Sequence, residues 1–154
     1  MESIAHSQPP SELNRLANSA TRHCLTGCAI GEFLGMAIAT AFGWPNGAQI
    51  GLAVGLAYVF GFGLTSVPLV RAGLAPAAIV ATALAADTVS ITIMEAVDNL
   101  TVVLIPDALD AGLGDLLFYA SIAGGFVLAY PLAFLANRHL IARGKGHAVV
   151  HDYH

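Results

Sequence analysis

The sequence predicts an all-α, polytopic membrane protein built as a bundle of four transmembrane helices. Of its 154 residues, 56% are hydrophobic and only 10% are charged, whereas a soluble domain carries roughly 25% charged residues. The charges also avoid the middle of the chain, where Arg71 is the one basic residue between Arg22 and Arg138. Four long apolar stretches each approach the roughly 20 residues that a helix needs to cross a bilayer.

Turn and helix-end signals divide the chain into its elements. Residues 1–20 are predicted to be a polar cytoplasmic tail leading into a helix, because they lack the apolar segment of a signal peptide. Trp44 suits the membrane interface after the first span, while Pro76 favours the start of the third helix and Pro106 its end. The predicted spans are about 21–42, 48–70, 76–105 and 116–136, followed by a basic, histidine-containing cytoplasmic tail at 137–154.

The basic residues predict the orientation, since cytoplasmic loops carry an excess of Lys and Arg. With four spans, every basic group falls on one side of the bilayer. These groups are Arg15 and Arg22, then Arg71, then Arg138, Arg143 and Lys145. The loop at 106–115 carries only acidic charges. We therefore predict a protein of the inner (plasma) membrane, with both termini cytoplasmic and the acidic 106–115 loop outside.

Two rows of glycines at i, i+4 spacing predict close helix packing. The rows are Gly27, Gly31 and Gly35 on the first span, and Gly47, Gly51 and Gly55 at the start of the second. Small residues at this spacing let two helix backbones approach each other. We expect the rows to pack spans one and two together, or to pack two protomers.

The two cysteines, Cys24 and Cys28, lie one helical turn apart in the first span. Their Cβ atoms would be about 5–6 Å apart, whereas a disulfide needs about 3.5–4.5 Å, so we expect free thiols or metal-bound thiolates. His23 precedes the pair and Glu32 follows it by one turn, which favours a metal site. The alternatives are that the thiols are small apolar groups of the core and that His23 is a polar anchor at the interface.

Four acidic residues fall inside the predicted spans, where no Lys or Arg lies deep enough to pair with them: Glu32, Asp87, Glu95 and Asp98. A charged group at the centre of a membrane helix costs about 2.5–3.5 kcal/mol or more. Each acid must therefore be protonated, hydrogen-bonded or neutralised by a bound cation. Counted from the predicted span starts, Glu32 and Asp87 lie at similar depth, roughly 15–17 Å into the bilayer. We therefore expect these two to form one site near the midplane.

Depth also predicts a graded series of metal ligands. From outside to inside the series is the acidic loop, Asp98, Glu95, Met94, Asp87 with Glu32, Cys28, Cys24, His23, and the tail histidines His147, His151 and His154. Thiolate and thioether ligands favour Cu(I) or zinc, and imidazole suits zinc, copper or nickel. The sequence therefore predicts a bound copper or zinc ion. The alternatives are that Met94 only packs in the core and that the tail histidines are simply solvated.

Three motifs carry a family resemblance. They are His23-Cys24-x-x-Gly27-Cys28-x-x-Gly31-Glu32, then Asp87-x-x-Ser90-Ile91 with Met94-Glu95 and Asp98-Asn99, then Gly144-Lys145-Gly146-His147-Ala148. With these motifs, residues from about 20 to 151 resemble the bacterial membrane proteins of the family called domain of unknown function 4396. The resemblance implies a small membrane protein with several spans, and it implies no activity, cofactor or residue role.

The leading functional hypothesis is a transporter or channel for a transition-metal cation, with a proton path through Glu32 and Asp87 as a variant. The alternatives are a metal- or redox-linked accessory subunit of a larger membrane complex, and a purely structural membrane subunit with protonated acids.

One copy offers two thiols, too few for a closed tetrahedral cysteine site, so we expect a homo-oligomer or a subunit of a complex in the lipid bilayer. Because the chain has neither a catalytic motif nor a basic patch, we expect neither an enzyme nor a nucleic-acid partner.

Overall fold

The computed structural model describes residues 9–149, with the backbone alone for residues 148 and 149. Its helices are α1 (Pro10–Ala41), α2 (Asn46–Arg71), α3 (Pro76–Leu104) and α4 (Leu116–Ala142), followed by a short 3-10 helix, Gly146–Val149. The described residues contain no β-strand. All four α-helices are long and apolar enough to cross a bilayer. The predicted all-α bundle of four spans is thus confirmed.

Neighbouring helices in the bundle run antiparallel. Gly27 and Gly35 of α1 lie against Gly61 and Ala53 of α2, respectively, so the two chain directions are opposite. Helices α1 and α3 run parallel. We call the end of the bundle where α1 begins and α4 ends the terminal end, and the end that holds the connection from α3 to α4 the loop end.

The glycine row of α1 packs this helix directly onto α2. A Cβ atom on Gly27 would lie 2.6 Å from the Cα atom of Gly61, and one on Gly31 would collide with the backbone of Ala57. Larger residues in the row would therefore force the two helices apart, which is the role that the sequence predicts for it.

The glycine row of α2 does not take part in this interface. These three glycines are exposed, and a Cβ atom on any of them would meet nothing within 4 Å. The expectation that this row packs spans one and two together is wrong. The face of α2 that is buried in the bundle consists largely of other small residues, and it also carries the polar side chains of Gln49 and Thr65. Contact between protomers through the glycine row stays a prediction.

Two helices extend beyond the spans expected from hydropathy. Helix α1 begins at Pro10, ahead of the span expected from residue 21, and α4 continues to Ala142, past the expected span end near residue 136. Hydropathy marks the apolar part of a helix, whereas the backbone hydrogen bonds continue through polar residues. Residue 137 is thus part of α4, and Asn137 lies fully buried within the bundle.

Charge is distributed unevenly between the two ends of the bundle. All six Lys and Arg residues lie at the terminal end: Arg15, Arg22, Arg71, Arg138, Arg143 and Lys145. The loop end carries Asp107, Asp110 and Asp115. This asymmetry is the one that the positive-inside rule uses, and the cytoplasmic placement of the terminal end stays a prediction.

The outer surface of the bundle is apolar and suits a lipid environment. Large hydrophobic side chains are exposed on every helix, among them Ile38, Val59, Leu100 and Val127. The interior contains small and apolar residues together with a line of buried polar side chains. Such polar side chains are rare inside membrane spans and usually have a function. The polar interior positions the site described next.

Candidate metal site

Three ligand-type side chains from different parts of the chain meet at one buried point near the terminal end. They are Cys24 of α1, Asp87 of α3 and His147 of the 3-10 helix. The Cys24 Sγ lies 3.6 Å and the His147 Nδ1 lies 3.3 Å from the same Oδ1 atom of Asp87. One ligand atom from each residue lies within 4.8 Å of the other two. The residues are 1%, 0% and 7% exposed, so the group is almost closed to solvent.

His147 reaches this point because the chain reverses direction after α4. Gly144 and Gly146 have φ values of +68° and +58°, in the left-handed region that favours glycine. The Lys145 N–H donates to the Leu140 carbonyl over 2.8 Å, which closes the turn. A Cβ atom on Gly146 would also lie 3.0 Å from that of Leu140. The turn therefore folds the 3-10 helix back over the terminal end and points His147 into the bundle.

His23 borders the site without joining the group of three. Its ring meets the ring of His147 edge-on, with centroids 5.6 Å apart and planes inclined by 67°. Its Nε2 atom lies 3.0 Å from the Thr65 hydroxyl of α2. The sequence predicts His23 as a ligand. In the structure its ring packs edge-on against the ring of His147.

A buried amide ties three helices together beside the site. The Asn137 Nδ2 of α4 donates to the hydroxyls of Thr21 on α1 and Ser90 on α3, both over 3.0 Å. Ser90 in turn lies within interaction range of the Cys24 thiol. This network fixes the separation of the helices that carry Cys24 and Asp87. Sequence reasoning missed Asn137, because it was assigned to a solvated tail.

The predicted pairing of Glu32 with Asp87 is wrong. Asp87 lies beside Cys24, 63 residues away in sequence, and Glu32 lies about two helical turns further along α1. The prediction counted depth from residue 21, an apolar boundary, whereas α1 begins at Pro10 and α3 at Pro76. Counted from these two helix starts, Asp87 lies about 17 Å along α3, so Cys24, about 21 Å along α1, lies nearer its height than Glu32, about 33 Å along α1.

Glu32 instead faces two acids of α3. Its carboxylate lies within interaction range of Glu95, Asp98 and Asn99. The three acids are almost completely buried, with 0% exposure for Glu32, 4% for Glu95 and 0% for Asp98. The Asn99 Nδ2 donates to the Glu95 carbonyl over 2.9 Å and lies 3.4 Å from its Oε2. Gly125 of α4 lies directly against the Asp98 carboxylate. We call Glu32, Glu95 and Asp98 the carboxylate cluster.

The two remaining predicted ligands, Cys28 and Met94, occupy the space between these features. Cys28 is fully buried and lies within electrostatic range of Cys24, Glu32 and Glu95. Met94 is also fully buried and belongs to the apolar core of the bundle. Cys28 does not join the group of three.

Of the three tail histidines predicted as ligands, the structure brings His147 into the site, while His151 and His154 lie outside the described residues. The Gly-Lys-Gly-His motif at 144–147 was the available signal for this residue. Two glycines spaced around a lysine indicate a sharp turn, and a turn after α4 can return the next side chain to the bundle.

Comparison with known proteins gives a family and no further relative. A family model described as Domain of unknown function (DUF4396) matches residues 14–146. The match includes Cys24, Asp87 and the whole carboxylate cluster, and ends one residue before His147. Neither a curated protein nor a solved structure matches the chain.

Proposed function

The chain belongs to the family described as Domain of unknown function (DUF4396), and we propose that this member is a membrane protein that binds a transition-metal ion and carries it across the bilayer. One observation carries the proposal. A thiol, a carboxylate and an imidazole from separate elements converge in the buried core, with one ligand atom of each within 4.8 Å of the others. Packing alone gives no reason to gather three such polar groups in an apolar bundle.

The spacing of the ligand atoms suits zinc. Zinc binds sulfur at about 2.3 Å and nitrogen or oxygen at about 2.0–2.2 Å with tetrahedral geometry, which separates neighbouring ligand atoms by roughly 3.3–3.6 Å. The sulfur–oxygen separation here is 3.6 Å and the nitrogen–oxygen separation is 3.3 Å. Three protein ligands leave one tetrahedral position open for water or a further ligand.

Charge favours a divalent ion at the same place. A thiolate from Cys24 and a carboxylate from Asp87 supply two negative charges, and neutral His147 adds none. Zinc or divalent copper would therefore give a neutral complex in the apolar core, whereas Cu(I) would leave one negative charge without compensation. Burial of an uncompensated charge is costly in a low-dielectric interior. We therefore place zinc first and copper second.

The position of the site supports transport. It lies near the terminal end of a bundle whose four helices can each cross a bilayer. Beyond it, Cys28 and the carboxylate cluster continue a line of polar groups through the core towards the loop end. A cation that leaves Cys24 in this direction finds anionic or polarisable groups at each turn of α1.

A second function, metal storage or support within a larger membrane complex, is favoured by the closure of the site. The 3-10 helix covers it, and none of its three ligands is more than 7% exposed. Zinc flux into proteoliposomes separates the two functions, since a holding subunit binds the ion without moving it.

Metal titration of the purified protein tests the proposal itself. We expect one tight zinc site per chain, and Cys24→Ser, Asp87→Asn and His147→Ala should each weaken binding at that site by roughly tenfold or more, about 1.4 kcal/mol. The matched controls are Cys28→Ser, His139→Ala and Asp110→Asn, which change the same residue types outside the group of three. A protein that binds no zinc on titration would overturn the proposal, as would equal losses in Cys24→Ser and Cys28→Ser.

A further inference from the structure

We infer that the carboxylate cluster is a second cation site, chemically different from the first, which takes a hard divalent ion such as Mn²⁺. The cluster combines Glu32 of α1 with Glu95 and Asp98 of α3, so two helices supply its oxygens. Its existence does not depend on a metal at Cys24. Its place in a transport path, described below, rests on the proposed function.

Buried oxygens that lack hydrogen bonds are the first observation behind this inference. In the described part of the chain, both oxygens of Glu32, both oxygens of Asp98 and the Oε1 of Glu95 have no hydrogen-bond partner. Glu32 and Asp98 are fully buried. Buried polar atoms are almost always satisfied in folded proteins. Five such unsatisfied oxygens face one another here, so a cation bound between them would satisfy several of them at once.

Among residues 9–149, the neighbours of the cluster supply no positive charge of their own. The buried face of α2 carries no ionisable residue, and the buried face of α4 carries none either and places Gly125 against Asp98. On α1 the other titratable group that faces the cluster is Cys28. His147 and His23 lie at the height of Cys24, about two turns closer to the terminal end. A cation that neutralises the cluster would therefore come from solution.

The donor atoms select the class of ion. Carboxylate and carbonyl oxygens suit Mg²⁺, Ca²⁺ and Mn²⁺, whereas thiolates and imidazoles suit zinc and copper. Asn99 holds the Glu95 carboxylate through Oε2 and leaves Oε1 available. Glu32 lies within reach of both Glu95 and Asp98, so it is the carboxylate that an ion in either position would share. Waters complete the coordination of such ions when few protein ligands are present.

The two sites are ordered along the bundle axis. Glu32 follows Cys24 by eight residues on the same helix, a rise of about 12 Å, with Cys28 midway. If the protein transports its metal as proposed, the carboxylate cluster is the next binding position towards the loop end. A zinc ion that moves in this direction would leave thiolate and imidazole ligands for carboxylate oxygens.

Mn²⁺ binding, measured by electron paramagnetic resonance on the purified full-length chain in lipid nanodiscs, tests the inference. We expect the unmodified protein to bind Mn²⁺, and Glu32→Gln and Asp98→Asn each to weaken that binding by roughly tenfold or more. Asp110→Asn, at an exposed acid of the loop end, is the matched control and should bind Mn²⁺ as the unmodified protein does. Cys24→Ser should also leave Mn²⁺ binding within about twofold of the unmodified protein.

Each result has a definite meaning. Absence of Mn²⁺ binding would overturn the inference, and so would Glu32→Gln and Asp98→Asn that bind as tightly as the control. Both variants replace a buried acid by a neutral group of the same shape, so we expect them to fold. Retained zinc binding, or an unchanged size-exclusion profile and helical circular dichroism, checks this. If the unmodified protein binds Mn²⁺ but no zinc, the proposed function is refuted and this inference stands.

Discussion

Asp87 is the residue at which separate parts of the chain become one site. A single oxygen, Oδ1, lies beside the Cys24 thiol of α1 and the His147 ring of the 3-10 helix. Its other oxygen has no hydrogen-bond partner among the described residues and is available to a ligand. Asp87→Asn, which removes this charge, should therefore lower the zinc affinity measured by titration. The loss should exceed that caused by removing an equally buried neutral side chain near the site.

Asn137 makes its own prediction at the residue scale, because it donates to both Thr21 and Ser90. Asn137→Ala should lower the free energy of unfolding by roughly 1–2 kcal/mol, because it removes two hydrogen bonds between membrane helices, each of which contributes about 0.6 kcal/mol on average. Unfolding in a denaturing detergent measures the loss.

Asn46→Ala is the matched control for Asn137→Ala, since Asn46 makes one long, exposed contact of 3.4 Å with Asp110. Its effect should stay within about 0.5 kcal/mol. Equal losses of unfolding free energy in the two variants would show that the buried amide does not hold the three helices together.

At the scale of elements, the contact between α1 and α2 depends on small residues, and the α2 surface offers a built-in control. Gly31→Ala should lower the free energy of unfolding by about 1–3 kcal/mol, because its Cβ would collide with the Ala57 backbone. Gly51→Ala meets open space and should change it by no more than about 0.5 kcal/mol. The same denaturation assay compares them, and a larger loss for Gly51→Ala would contradict this packing.

The turn after α4 is the element that delivers a ligand, so it can be tested without removing any ligand atom. Gly146→Ala forces an alanine into the left-handed region, which costs about 1–2 kcal/mol, and should weaken zinc binding by roughly tenfold. Gly43→Ala suffers the same strain at φ +66°, but in the loop between α1 and α2 at the other end of the bundle. Isothermal titration should find its zinc affinity unchanged. Equal affinities in both variants would show that the turn does not position His147.

The sequence predicted the four helices more accurately than it predicted which residues of different helices lie level with one another along the bundle axis. The apolar stretches predicted four helices because hydrophobic length and charge depletion are properties of each segment alone. The pairing of Glu32 with Asp87 failed because the relative height of two helices is set by where each helix begins and how it packs, and hydropathy does not report Pro10 as a start. The contact of His147 with Asp87 could not be predicted because it depends on a tertiary turn, and the burial of Asn137 could not because the apolar signal fades before α4 ends.

At the scale of the whole molecule, the distribution of charge predicts how the bundle lies in its membrane. All six Lys and Arg residues lie at the terminal end, so this end should face the cytoplasm. In a chain without Cys24 and Cys28, a cysteine placed at Asp110 should react with a membrane-impermeant maleimide in intact cells. A cysteine placed at Arg71 should react only after the cells are broken. The reverse pattern would invert the bundle and the direction from one site to the other.

X-ray absorption at the zinc edge of the zinc-loaded protein tests the central claim most directly, because it counts ligands by element. The structure places one sulfur, one nitrogen and one carboxylate oxygen together. The spectrum should therefore show about one sulfur at about 2.3 Å and a shell of nitrogen and oxygen at about 2.0–2.2 Å. The sulfur should disappear in Cys24→Ser and remain in Cys28→Ser. A first shell without sulfur in the unmodified protein, or a sulfur that survives in Cys24→Ser, would contradict a metal site at Cys24, Asp87 and His147.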